Sequence, residues 1–242
     1  MSSSQQPAVR MSWIDLLFLH WPVDADRVRA ILPAALEVDT FDGNAWIGLV
    51  PFTMTDCRFR GFGWVPGLAN FYECNVRTYV RHGPHRGVWF FSLDAEHLLP
   101  VVGGRWIWNL NYVYSKFRVV QDGPRFDYRA KRKRGPWPSG EMHLAWTVGD
   151  ERPLAQPDSL EHFLTERYLL FTQRSGLLYA GRIEHEPWPL RDAEVTRIDD
   201  SLVAAAGFEG LVNSEPIALA SNRVDVLGYP LQKAAALDGI KP

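Results

Sequence analysis

Lysine is scarce in this chain. Five occur in 242 residues, at positions 116, 131, 133, 233 and 241, so chemistry built on a nucleophilic amine has few candidates. Cysteine is scarcer still. Cys57 and Cys74 stand alone, with no CxxC, which excludes a disulfide framework or a zinc pattern and leaves one disulfide as an open alternative. No P-loop, GxGxxG, GxSxG or HExxH is present, so nucleotide-binding, α/β-hydrolase and zincin readings lack support. Neither sign of charge dominates. The net charge is −2 and the pI about 6.4, which gives no bulk electrostatic reason to bind nucleic acid or anionic lipid. Long apolar runs are missing as well. The longest early run, "IDLLFLHW", carries Asp15 and His20. It is too short to span a bilayer and lacks the flanks of a signal peptide. A cytoplasmic protein is expected, with no nucleic-acid or membrane partner, no metal and no cofactor.

What is abundant is aromatic and apolar. Ten tryptophans and 46% hydrophobic residues call for a ring-filled core or a ring-lined pocket. Without a Gly/Ser/Pro-rich linker, the chain reads as one domain over 13–242, preceded by a flexible N-terminus, 1–12. The segment "DADRVRAILP" predicts a helix with Asp24 as cap and Pro33 as stop. A second helix is expected over "DSLEHFLTERYLLF", where Asp158 and Glu161 are spaced as a capping box. Most of the rest reads as strands. Turns are expected at Asp42-Gly43, at His82 to His85 and at Asp122-Gly123. "GVWFFSL" is apolar on both faces and predicts a central strand with Trp89, Phe90, Phe91 and Leu93 largely buried. Many antiparallel strands with two helices give an α+β, barrel-like sheet.

Candidate chemistry concentrates in a few places. In "FYECNVRTYV" a period of two puts Glu73, Asn75 and Arg77 on one face. In an open sheet that face meets water. In a closed barrel it becomes a buried polar row, costly unless paired or used. His20 lies among apolar neighbours, where a hydrogen-bonded core role and a ligand role both stand. His82 and His85 sit in a turn, weak evidence for a metal. His185, between Glu184 and Glu186, reads as structural or surface. The basic run Arg129 to Arg134 reads as a solvated edge strand. Lys116 ends the aromatic stretch "RWIWNLNYVYSKF", and is a catalytic amine or a surface charge.

Several stretches together closely resemble the YqjF-like family of uncharacterised bacterial proteins: "FLHWPVDADRVRAILPAALEVDTFDGNAWIGLVPF", "FYECNVRTYVRH", "GVWFFSLDA" and "EHEPWPL". The resemblance covers about residues 13 to 230. More distantly, the order of segments resembles acetoacetate decarboxylase. This resemblance implies an antiparallel β-cone or barrel with a closed pocket and a few peripheral helices. In that enzyme two adjacent lysines follow a proline, and the first forms a Schiff base while the second depresses its pKa. Here the matching positions hold Asn111, Tyr112 and Val113, so both amines are missing. Lys116 falls about 13 Å farther along the strand, which favours a surface role. The resemblance places Glu73 at the pocket glutamate and favours an inward-facing row.

Together these readings make Glu73 and Tyr112 candidate catalytic residues. Arg77, Asn75, Arg105, His20 and Trp89 are candidate substrate-binding residues. If the protein is an enzyme, lyase, hydratase or isomerase chemistry on a small organic acid or carbonyl compound fits, without Schiff-base decarboxylation. A non-catalytic binding or carrier protein is the alternative. The expected partner is a small molecule, with homo-oligomerisation left open.

Overall fold

The computed structural model describes residues 6–61, 70–97 and 108–239. Thirteen strands run through them: β1 (Val9–Val23), β2 (Glu37–Val38), β3 (Ala45–Phe59), β4 (Phe71–His82), β5 (His85–Ala95), β6 (Tyr112–Asp122) and β7 (Arg125–Arg132). They continue with β8 (Glu141–Glu151), β9 (Leu169–Arg174), β10 (Leu177–Glu184), β11 (Leu190–Asp200), β12 (Ile217–Gly228) and β13 (Gln232–Lys233). Three short α-helices are α1 (Ala25–Arg29), α2 (Leu160–Thr165) and α3 (Leu202–Ala205). The expected turns form where Gly43, Gly83 and Gly123 supply positive φ. Ordered structure begins earlier than expected: residues 9–12, read from sequence as flexible, belong to β1 and pair with β12.

All thirteen strands belong to one sheet that closes on itself. One circuit passes through nine strands, β1-β3-β4-β5-β6-β7-β8-β11-β12. A second passes through β9 and β10 instead, because the two ends of β5 pair with different strands and so do the two ends of β12. Strands β1, β3, β4, β5 and β12 are common to both. Residues on one face of these shared strands, Leu17, Leu19, Ile47, Leu49 and Val76, pack with Tyr128, Leu144 and Trp146 into a filled core. The opposite face lines a cavity.

Backbone bulges keep that cavity wall apolar. On β1 the wall residues are Val9, Met11 and Trp13, then Leu16 and Phe18. The parity changes at Asp15, whose φ is 55°. On β3 they are Val50, Phe52 and Met54, then Cys57 and Phe59, with the change at Asp56 (φ 54°). On β5 the ladder jumps so that Val76 faces Ser92 while Arg77 faces Phe90. Each bulge inserts one residue and turns the next side chains to the other face.

Two sequence expectations need correction, on the second helix and the basic run. The second helix is capped by Ser159, which accepts from the His162 N–H, because Asp158 has a left-handed φ of 71°. It ends at Thr165, since Leu169 and Leu170 pair with β10 and Leu170 with β5. Strand β5 is central as expected, with Leu93 buried and Trp89, Phe90 and Phe91 half-buried. The basic run is not an edge: β7 is paired on both sides, and Arg132 turns inward to a bidentate ion pair with Asp94 at 2.8 and 2.9 Å.

Candidate active site

Strand β4 carries the polar part of the cavity. It has no bulge of its own between Phe71 and Tyr79, so period two holds, and Phe71, Glu73, Asn75 and Arg77 all reach the cavity. The alternate residues Cys74, Val76 and Val80 enter the filled core. The polar row is therefore interior, as the barrel alternative required. The cavity has a volume of about 580 Å³ and mostly apolar walls, with rings from Trp13, Phe18, Phe52, Phe90, Trp108 and Trp188 among them.

Glu73 is buried, and its Oε2 accepts a hydrogen bond of 3.1 Å from the Tyr112 hydroxyl. The two residues lie on β4 and β6, two strands apart, with β5 between them. Burial pushes the Glu73 carboxyl up to about 8, opposed by the Tyr112 hydrogen bond and reinforced by the charge of Asp94. Burial also raises Tyr112, with the charge of Glu73 adding to it. The group pair is thus neutral or near its midpoint around neutral pH. Cys57, also in the wall, is pushed up to about 12 by burial and by Glu73, so it is a thiol and no activated nucleophile.

Arg77 stands four residues along the same strand. Its Nη2 donates to the Leu164 carbonyl at 3.1 Å, and its guanidinium lies 5.6 Å from the Phe18 ring and 5.7 Å from the Tyr79 ring. Among the described residues no carboxylate is within ion-pair distance of it. The other partly or fully buried arginines of the wall are paired: Arg167 with Asp39 at 2.7 Å, Arg182 with Glu184 at 2.8 Å. Asn75 presents a buried Oδ1 with no hydrogen-bond partner.

The remaining candidates separate. His20 is buried behind the wall, not on it. Its Nε2 lies 2.6 Å from the Tyr79 hydroxyl, and burial, with Arg77 second, holds its pKa well below the usual range. Gly48 makes room for this packing: a Cβ there would stand 3.0 Å from His20 Nε2 and 3.2 Å from Arg77 Cγ. Trp89 faces away from the cavity and packs against the filled core, because Val88 and Phe90 take the wall positions. Arg105 lies outside the described residues. Lys116 is exposed and paired across the ladder with Lys131, so it is a surface charge.

Sequence reading missed His185. It lines the cavity, with its ring 4.7 Å from Tyr168 and 5.0 Å from Trp188. Its Nδ1 lies 2.7 Å from the Glu186 carbonyl, which can only accept, so the proton sits on Nδ1 and Nε2 carries a lone pair. Burial lowers its pKa. The only sequence signal was its place in "EHEPWPL". Among the described residues no cluster of His, Cys, Asp and Glu could hold a metal, and no helix is long and apolar enough to cross a membrane.

A closed mixed β-barrel, with β5 parallel to β6 and β9 and its other pairings antiparallel, is the acetoacetate-decarboxylase-like fold. An acetoacetate decarboxylase from Legionella pneumophila superposes with a TM-score of 0.61 at 14% identity, over 95% of this chain and 89% of that one. An acetoacetate-decarboxylase-like enzyme from Sphingomonas wittichii RW1 gives 0.59 at 14%, over 93% and 91%. The enduracididine biosynthesis enzyme MppR gives 0.55 at 16%, over 93% and 87%. By sequence, residues 10–225 match the DUF2071 family, an uncharacterized conserved protein (COG2071), and the chain belongs to that family. The Bacillus subtilis (strain 168) protein YqjF is 40% identical over 225 residues, 93% of this chain and 92% of that protein.

Proposed function

We propose that the protein is an acid–base enzyme acting on a carbonyl-containing organic acid, with Glu73 moving the proton and Tyr112 holding the developing oxyanion. The observation that carries this reading is the Glu73–Tyr112 hydrogen bond at 3.1 Å, buried in the wall of a largely apolar cavity. A carboxyl near 8 exchanges protons readily at neutral pH. As carboxylate, Glu73 takes a proton from the carbon beside a carbonyl, and the electron pair moves onto the carbonyl oxygen. The Tyr112 hydroxyl then donates to that oxygen. The proton returns from Glu73 to another carbon in an isomerase, or leaves with a β-hydroxide as water in a hydratase or lyase.

No lysine lines the cavity among the described residues, so the mechanism uses no Schiff base. The MppR structure holds a condensation product of pyruvate and imidazole 4-carboxaldehyde, which supports a carbonyl-compound pocket by analogy of fold alone. Buried free thiols at Cys57 and Cys74 favour a reducing, cytoplasmic setting. A carrier function is the second reading, favoured by the predominance of rings in the wall.

The test is exchange of α-protons of straight-chain 3-oxo acids into D2O, followed by proton NMR. Wild type should accelerate the exchange, and Glu73→Gln should abolish it with an unchanged circular dichroism spectrum. Equal exchange by wild type and variant removes Glu73 from the chemistry. Saturable binding without exchange by wild type establishes the carrier reading.

A further inference from the structure

We infer that the cavity takes an elongated amphipathic monocarboxylate, with its carboxylate on Arg77, its apolar body against the rings and its far end at Glu73 and Tyr112. The assignment of the far end rests on the acid–base reading above. The Arg77 end and the ligand size set by the cavity volume stand independently of it.

Three observations point to this ligand. The first is charge. Arg167 and Arg182 have carboxylates of their own, whereas Arg77 faces the cavity with none among the described residues. A guanidinium held in an apolar wall without a counter-charge is costly, and an anion from outside offsets that cost. Arg77 is positioned for such an anion. The Leu164 carbonyl holds one nitrogen, the Phe18 and Tyr79 rings flank the group, and Gly48 leaves space beside its stem.

The second is separation. Glu73 and Arg77 share one face of an extended strand four residues apart, roughly 13 Å between their Cα atoms. A three- or four-carbon acid cannot place its carboxylate on one and its reacting carbon at the other. The third is size. A cavity of about 580 Å³ holds on the order of 20 non-hydrogen atoms at about 30 Å³ each. A short acid fills a minor part of it. Apart from Asn75, the walls between the two polar ends, Phe18, Val50, Phe52, Phe90 and Leu93 among them, are apolar and suit an acyl or arylalkyl chain.

The experiment is calorimetric titration of the full chain with butanoate, octanoate, decanoate and octan-1-ol. Octanoate should bind at least about a hundredfold tighter than butanoate, from roughly fourfold per buried methylene. Arg77→Met should weaken octanoate about thirtyfold or more and leave octan-1-ol within about twofold, as loss of a charged hydrogen bond implies. If Arg77→Met unfolds, Arg77→Lys should still weaken octanoate without affecting octan-1-ol, since it loses the fork. Butanoate binding as tightly as octanoate, or Arg77 variants that weaken acid and alcohol equally, overturns the inference. Intact chain-length and Arg77 dependence with no α-proton exchange overturns the acid–base reading instead and leaves this one standing.

Discussion

The Tyr112 hydroxyl donates to Glu73 Oε2 at 3.1 Å across the width of β5, joining two residues 39 positions apart in the chain. Both are buried, and the barrel isolates them from bulk water. Burial raises the Glu73 pKa, and the contact with Tyr112 opposes that rise.

Because the folded-state pKa of Glu73 is raised from an ordinary 4.5 to about 8, folding favours its protonated form. The associated stability is fully present below pH 4.5 and is lost as the pH rises through 8. A rise of this size corresponds to roughly 5 kcal/mol between the two limits. Glu73→Gln, neutral at every pH, should match wild type near pH 4.5 and be the more stable protein at pH 9. Urea titrations at both pH values check this. Parallel pH profiles for the two proteins would contradict it.

Tyr112→Phe removes a hydrogen bond that lowers the Glu73 pKa. The carboxyl should therefore titrate at a higher pH in the variant, as read by the carbon-13 shift of labelled glutamate. A downward shift would show that Tyr112 acts on Glu73 in some other way than by donating to it.

Lys116, Lys131, Lys133 and Lys233 all lie off the cavity wall. Treatment with acetoacetate and borohydride should leave no stoichiometric reduced adduct, as measured by intact mass and peptide mapping. A single adduct on Lys116 would show that the amine reaches the cavity and that chemistry does proceed through it.

Arg132 and Asp94 form an ion pair whose side chains are 4% and 0% exposed, with Ser115 also donating to Asp94. Arg132→Ala strands the carboxylate and should cost about 3–5 kcal/mol in a denaturant melt. Removal of Arg152, exposed beside Glu161 and Asp192, should cost less than about 1 kcal/mol. Comparable losses at the two sites would mean that the buried pair contributes no more than a surface one.

The legible part of the site was the part with unbroken periodicity. Strand β4 runs from Glu73 to Arg77 without an inserted residue of its own, so counting by two placed Glu73, Asn75 and Arg77 on one face. The same count fails on β1, β3 and β5, where the wall changes parity at Asp15, at Asp56 and beside Phe91. A bulge requires only one residue out of register, and an aspartate in a left-handed conformation leaves no mark distinguishable from a surface aspartate. Trp89 was misplaced because "GVWFFSL" is apolar on both faces, so alternation does not say which of its rings meet the cavity. His185 was passed over because its place in the wall depends on the Glu186 carbonyl fixing its tautomer and on Trp13 and Tyr168 coming beside it from distant parts of the chain.

By itself the sequence determined a strand-rich chain, its turns at Asp42-Gly43, Gly83 and Gly123, the polar row of β4, and the absence of paired lysines where the resemblance calls for them. These follow from local rules: alternation, turn conformation and residue identity. Only the tertiary structure decided that the row faces inward, that Arg77 has no carboxylate beside it among the described residues while Arg167 has Asp39, and that a cavity rather than packed side chains fills the space beside Glu73. The physical reason is closure. Whether a polar face meets water or an interior depends on which strands pair at the ends of β5 and β12, and those pairings join residues too far apart in the chain for any local pattern to encode.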